Sequence, residues 1–113
     1  MKILFLGDIV GISGCKAVEK YLSKKIIELK IDFVVANGEN AAKEGVGITE
    51  LITNNLFSCG VNVITTGNHV WDQKETVKHI EKEKRLLRPL NLPEVSPGKG
   101  FCVYNLKSGL RIG

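Results

Sequence analysis

An α/β layer built on a parallel sheet, followed by an antiparallel hairpin, is the fold class this sequence predicts. Three apolar runs of strand length alternate with segments of helical spacing, the signature of β-α repeats around a parallel sheet. Each run ends in a glycine followed by an acid or an amide, and the last helix gives way to two short runs separated by a Lys-Ser-Gly turn.

The elements follow in order. Residues 2–6 are continuously apolar after Lys2 and stop at Gly7-Asp8, as a buried parallel strand does. A loop is expected through Gly11, Ser13 and Gly14. Val18, Leu22, Ile26 and Leu29 then recur near helical spacing among Lys20, Lys24, Lys25 and Glu28, an amphipathic helix. Residues 31–36 form a second apolar run that ends at Asn37-Gly38-Glu39-Asn40. Thr49, Ile52, Leu56 and Phe57 predict a second helix closed by Gly60. Residues 61–65 make a third strand, ending at Thr66-Gly67-Asn68-His69. Asp72 is placed to cap a third helix running to about Lys82. Residues 88–100 hold all three prolines and no periodicity, so a loop is expected. Residues 101–106 and 110–112 flank Lys107-Ser108-Gly109 and predict a hairpin.

Composition narrows the function classes. The 113 residues suit one domain, 1–113, and no internal repeat or linker divides them. No apolar run is long enough to span a membrane, and the N-terminal run meets Asp8 too early for a secretory signal. Cys15, Cys59 and Cys102 are odd in number and match no zinc or redox spacing. They read as reduced residues of a cytoplasmic protein. The formal charge of +4 is spread over helices rather than massed, so it helps attract phosphate-bearing ligands without marking a nucleic-acid surface.

The chemistry rests on where the polar residues fall. In an open parallel sheet the carboxyl ends of the strands line one edge, where ligands bind. Asp8, Glu39, Asn40, Asn68 and His69 should therefore meet there. The carboxylate and amide oxygens suit hard or borderline divalent cations. A carboxylate placed between two cations can bridge them, and two such cations can clamp both oxygens of a phosphoryl transfer. A histidine can protonate the leaving alkoxide. Each residue also has an ordinary use. Asp caps helices and Asn makes turns. His79, inside a charged helix, reads as structural. Trp71 either stacks on a base or packs beneath its loop. Turn propensity alone does not demand three such clusters at three strand ends. A P-loop is disfavoured, because the glycines at 7, 11 and 14 do not follow G-x-G-x-x-G and no Gly-Lys-Ser/Thr follows.

These clusters resemble the calcineurin-like metallophosphoesterases, and more closely the YmdB-like phosphodiesterase group. The matching stretches are residues 2–11 (KILFLGDIVG), 36–42 (ANGENAA), 66–72 (TGNHVWD) and 83–89 (EKRLLRP). The resemblance implies the N-terminal half of an α/β/β/α sandwich. It implies that Asp8 ligates a first metal, Glu39 bridges both, Asn40 supports the first and Asn68 ligates the second. His69 would be the proton donor, and a metal-bridging hydroxide the nucleophile. Two divalent transition metals, iron or manganese, are expected in the intact protein. Phosphodiesters such as 2′,3′-cyclic nucleotides are the implied substrates, with RNA a further ligand, and a cytoplasmic homo-oligomer is implied.

Two departures qualify the resemblance. Asp8-Ile9-Val10 stands where many superfamily members have Asp-x-His, a gap that the YmdB-like group shares. Family members are also longer, with further metal-ligating histidines, whereas this chain has only His69 and His79. The expectation is thus a truncated domain that binds one metal or none and is inactive alone. Phe101, Val103 and Leu110 are expected on an exposed apolar face. The alternative is a non-catalytic module that binds nucleotide, RNA or protein.

Overall fold

In the computed structural model, residues 1–106 and 108–113 are described. The expected turn residue Lys107 lies outside them. The order is β1 (Ile3–Leu6), α1 (Gly11–Leu29), β2 (Phe33–Asn37), α2 (Glu50–Ser58), β3 (Val63–Thr65), α3 (Thr76–Lys82), β4 (Leu86–Leu87), β5 (Tyr104–Asn105) and β6 (Arg111–Ile112). Strands β1 to β4 form one parallel sheet in chain order, and β5 pairs antiparallel with β6. The predicted α/β layer with a following hairpin is what the chain forms.

Side-chain alternation assigns the two faces of the sheet. Val34, Ala36, Ile64 and Leu86 are buried in one core with Leu22 of α1, Leu56 of α2 and Ile80 of α3. The helices therefore cover this face. On the other face Phe33, Val35, Val63, Thr65 and Leu87 line a narrow cleft with Phe101, Tyr104 and Ile112, so the hairpin lies across it. The Phe33 and Tyr104 rings sit 5.5 Å apart. The hairpin does not reach the edge strand. Ile3 and Phe5 are paired in register with Phe33 and Val35, yet both are exposed. Phe101, Val103 and Leu110 are exposed too, as expected.

Three boundaries differ from expectation. α1 starts at Gly11, so Ser13 and Gly14 are helical rather than loop. A side chain at position 14 would press on Ile9 Cγ2 at 3.1 Å, so glycine here permits tight docking of the helix start on β1's exit. α3 starts at Thr76, not beside Asp72, and its first turn has no side-chain cap. β4 is a fourth parallel strand that two residues are too short to announce by periodicity. The α2 start is as predicted: the Thr49 hydroxyl accepts a bond from the Ile52 N–H at 3.2 Å. Among the described residues no helix is long and apolar enough to cross a membrane.

Candidate functional site

Backbone hydrogen bonds draw the strand exits together one after another. Ile9 N–H donates to the Asn37 carbonyl (3.0 Å) and Gly11 N–H to the Asn40 carbonyl (2.9 Å), which joins the first exit to the second. Gly38 N–H donates to the Thr65 carbonyl (2.9 Å), which joins the second to the third. Thr66 N–H and Oγ1 both donate to the Leu87 carbonyl, which joins the third to the fourth.

Side chains complete the convergence. The Asn40 amide Nδ2 donates to Asp8 Oδ1 at 2.9 Å, although the two are 32 positions apart. The Glu39 carboxylate lies against Gly67. A Cβ at Gly67 would overlap Glu39 Oε2, so only glycine admits the carboxylate there. Asp8, Glu39 and Asn40 are thus held at the edge where Gly67 begins the third cluster. Asn68 and His69 follow Gly67 directly, and Asn68 is exposed. The turn they occupy is closed by Val70 N–H to the Gly67 carbonyl (3.2 Å) and Asp72 N–H to the His69 carbonyl (3.2 Å).

The His69 ring has a partner that sequence reasoning misses. Its Nδ1 lies 2.7 Å from Asp72 Oδ2. Asp72 therefore orients an imidazole instead of capping a helix. The signal was available as His-x-x-Asp inside a turn, but Asp ahead of an apolar-periodic segment reads first as a cap. His79 takes no part: it is buried in α3, with Nδ1 3.6 Å from Glu50. Trp71 is half-buried and packs against the core, as its ordinary reading expects.

The loop after Asn40 is tied down as well. Ala42 N–H donates to the Gly47 carbonyl (2.8 Å), and Gln73 Nε2 to the Val46 carbonyl (2.9 Å). The Thr76 hydroxyl bonds the Ile48 carbonyl. Cys15, beneath it, donates to the Ala41 carbonyl at 3.4 Å, and burial raises its thiol pKa. All three cysteines are free thiols.

The donor set is two carboxylates, Asp8 and Glu39, and the amides of Asn40 and Asn68. Oxygen donors of this kind fit a hard or borderline divalent cation. Among the described residues no group of three or more His, Cys, Asp and Glu side chains gathers to hold one, so any cation here would rest partly on amide oxygens.

A parallel sheet whose carboxyl edge gathers acids, amides and an oriented histidine defines an α/β protein with a polar strand-end site. Within that class, the chain belongs to the YmdB-like protein family, whose model matches residues 4–113. It is 47% identical over 101 residues to the 2′,3′-cyclic-nucleotide 2′-phosphodiesterase of Bacillus subtilis, covering 89% of this chain and 38% of that protein. A hypothetical protein from Thermus thermophilus superposes with a TM-score of 0.88 at 38% identity, covering 98% of this chain and 42% of that one. A structure described as a novel phosphatase, from Mycoplasma pneumoniae, superposes with a TM-score of 0.84 at 34% identity, covering 93% of this chain and 38% of that one. The chain thus spans about two fifths of the length of these relatives.

Proposed function

We infer that the protein hydrolyses phosphodiesters, 2′,3′-cyclic nucleotides among them, at this strand-end edge. One observation carries the reading: the Asp8–Asn40 hydrogen bond and the seat of Glu39 on Gly67 bring separate strand exits to one place. The name of the Bacillus subtilis relative supports the substrate class.

Asp8 and Asn40 would hold a first divalent cation, iron or manganese; Glu39 would lie between it and a second, held by Asn68. When bound, such cations polarise phosphoryl oxygens and supply a nucleophile at neutral pH. The chain's own residues do the rest. Asp72 engages Nδ1–H of His69, so that in the imidazolium form Nε2–H can deliver its proton to the leaving alkoxide and return the neutral Nδ1–H tautomer. Glu39 seats on Gly67, the residue before Asn68, and the Asn40 amide holds the Asp8 carboxylate by a hydrogen bond. Two carboxylates and two amides without further imidazoles suit one cation better than two. The 113 residues alone are therefore proposed to bind one metal or none and to turn over little substrate. The free thiols fit a cytoplasmic setting, and the exposed Ile3, Phe5 and Phe101 favour self-association.

The test is turnover of 2′,3′-cyclic AMP by the product of the complete reading frame, with manganese or iron supplied. Glu39→Gln keeps the shape and removes the charge. Loss of turnover supports the assignment; undiminished turnover refutes it.

A further inference from the structure

The carboxyl edge has a fourth strand exit, and a cavity opens beside it. Arg88 follows β4 directly and is buried to 8% exposure. Its N–H donates to the Lys99 carbonyl at 2.9 Å. Its Nη1 donates to the carbonyls of Pro89 (3.0 Å) and Leu92 (3.5 Å). The guanidinium thus folds residues 89–92 into a compact loop facing the Gly67–Trp71 turn. Between loop and turn lies a cavity of about 490 Å³, lined by Gly67, Asn68, Trp71, Pro89, Asn91 and Leu92 among others. That volume is within the range of small-molecule sites.

The lining selects a ligand chemistry. Gly67 and Asn68 belong both to this cavity and to the phosphodiester edge, so a ligand whose phosphate sits at the edge is continuous with the cavity. Trp71 and Leu92 pack against the buried core, which makes the indole a supported wall rather than a free side chain. Asn91 is exposed and brings an amide donor and acceptor. A flat aromatic wall with amides at the rim matches a ring that offers a π-face and a hydrogen-bonding edge, which is a nucleobase. An alkyl group would leave the amides unanswered. The geometry points to a base subsite here: the cavity takes the nucleobase of a nucleotide whose phosphate lies at Asp8, Glu39 and Asn68. An amide pairs with the edge of any base, so recognition is of a base as such, with purines favoured by their larger stacking area. This subsite rests on the phosphodiesterase reading above for the place of the phosphate.

The experiment compares ligands with and without a base. Trp71 is the one tryptophan in the 113 residues, and subtracting the Trp71→Phe signal isolates its fluorescence in a longer protein. Adenosine 3′-monophosphate should quench it and bind about tenfold or more tightly than methyl ribofuranoside 3′-phosphate. Trp71→Leu and Asn91→Ala should each bring the two affinities together, as read by isothermal titration calorimetry, which needs no indole. The kcat/KM ratio of 2′,3′-cyclic AMP to methyl ribofuranoside 2′,3′-cyclic phosphate should fall toward one in the same variants. Asn91 is on the surface, so that variant reports even where Trp71→Leu does not fold. Equal binding of both ligands by the wild type, or an unchanged preference in Asn91→Ala, overturns the subsite. Equal hydrolysis of both esters removes the subsite and leaves the phosphodiesterase reading intact. Base-dependent quenching without hydrolysis of either ester keeps the subsite and removes that reading.

Discussion

Asp72 Oδ2 sits 2.7 Å from Nδ1 of His69, three residues away on the turn that follows β3. The carboxylate engages Nδ1, so on the proposed reading Nε2 is the ring nitrogen that serves the substrate. Asp72→Asn can either accept from Nδ1 or donate to it, so the tautomer is no longer imposed. The expected result is a fall in kcat of about tenfold with little change in KM, smaller than the roughly 10²-fold or greater loss for His69→Gln. Long-range ¹H–¹⁵N NMR of the metal-free protein should show the His69 proton on Nδ1 in the wild type and a tautomer mixture in the variant. One unchanged tautomer with lowered kcat would assign Asp72 a different role.

Gly67→Ala tests the seat of Glu39. The new methyl group takes the volume of the carboxylate, which must swing away. A displacement of about 1 Å can cost ~10²-fold in rate. Since Glu39 is only partly buried, the thermal midpoint should move little. Steady-state kinetics beside a circular-dichroism melt separates the two effects.

Much of this arrangement was legible in the chain, and the gaps have physical causes. Residues 31–36 and 61–65 announce their strands because both faces of the sheet are covered there, whereas 2–6 announce theirs by an apolar run whose Ile3 and Phe5 stay exposed. Leu86-Leu87 is too short to announce anything: β4 is made a strand by its pairing with Ile64 and Thr65, a tertiary fact. Gly11 and Gly14 read as loop because glycine weakens helices locally, whereas at Gly14 the absence of a side chain lets α1 dock on Ile9. The strand-end positions of Asp8, Glu39, Asn40, Asn68 and His69 were readable in the chain. The Asp72 contact was not, because a turn acid and a helix cap look alike in sequence.

Thr49→Ala should lower stability by about 1 kcal/mol through loss of the α2 cap, and Thr49→Ser should retain most of it. Urea titration monitored by circular dichroism checks both, with the midpoint falling for Ala alone.

The Glu83–Arg85 pair predicts a pH dependence. Hydrogen bonds from Arg85 hold the Glu83 carboxyl below its ordinary 4.5. A carboxylate with a lowered folded-state pKa adds stability above its unfolded value and loses it as pH falls through the folded one. Arg85 is half exposed, so water screens the pair and the contribution stays under ~1 kcal/mol. Denaturant titrations of wild type and Glu83→Gln should differ at neutral pH and converge in acid below 4.5. A gap that persists there would mean packing over Phe57, not charge, is what the substitution disturbs.

The most direct measurement is an anomalous-difference map from crystals of the complete protein soaked in manganese. The account predicts a peak within coordination distance of Asp8 and Glu39, with Asn68 at the same edge, and loss of that peak in Glu39→Gln. Manganese bound elsewhere, with these side chains turned apart from one another, would contradict it.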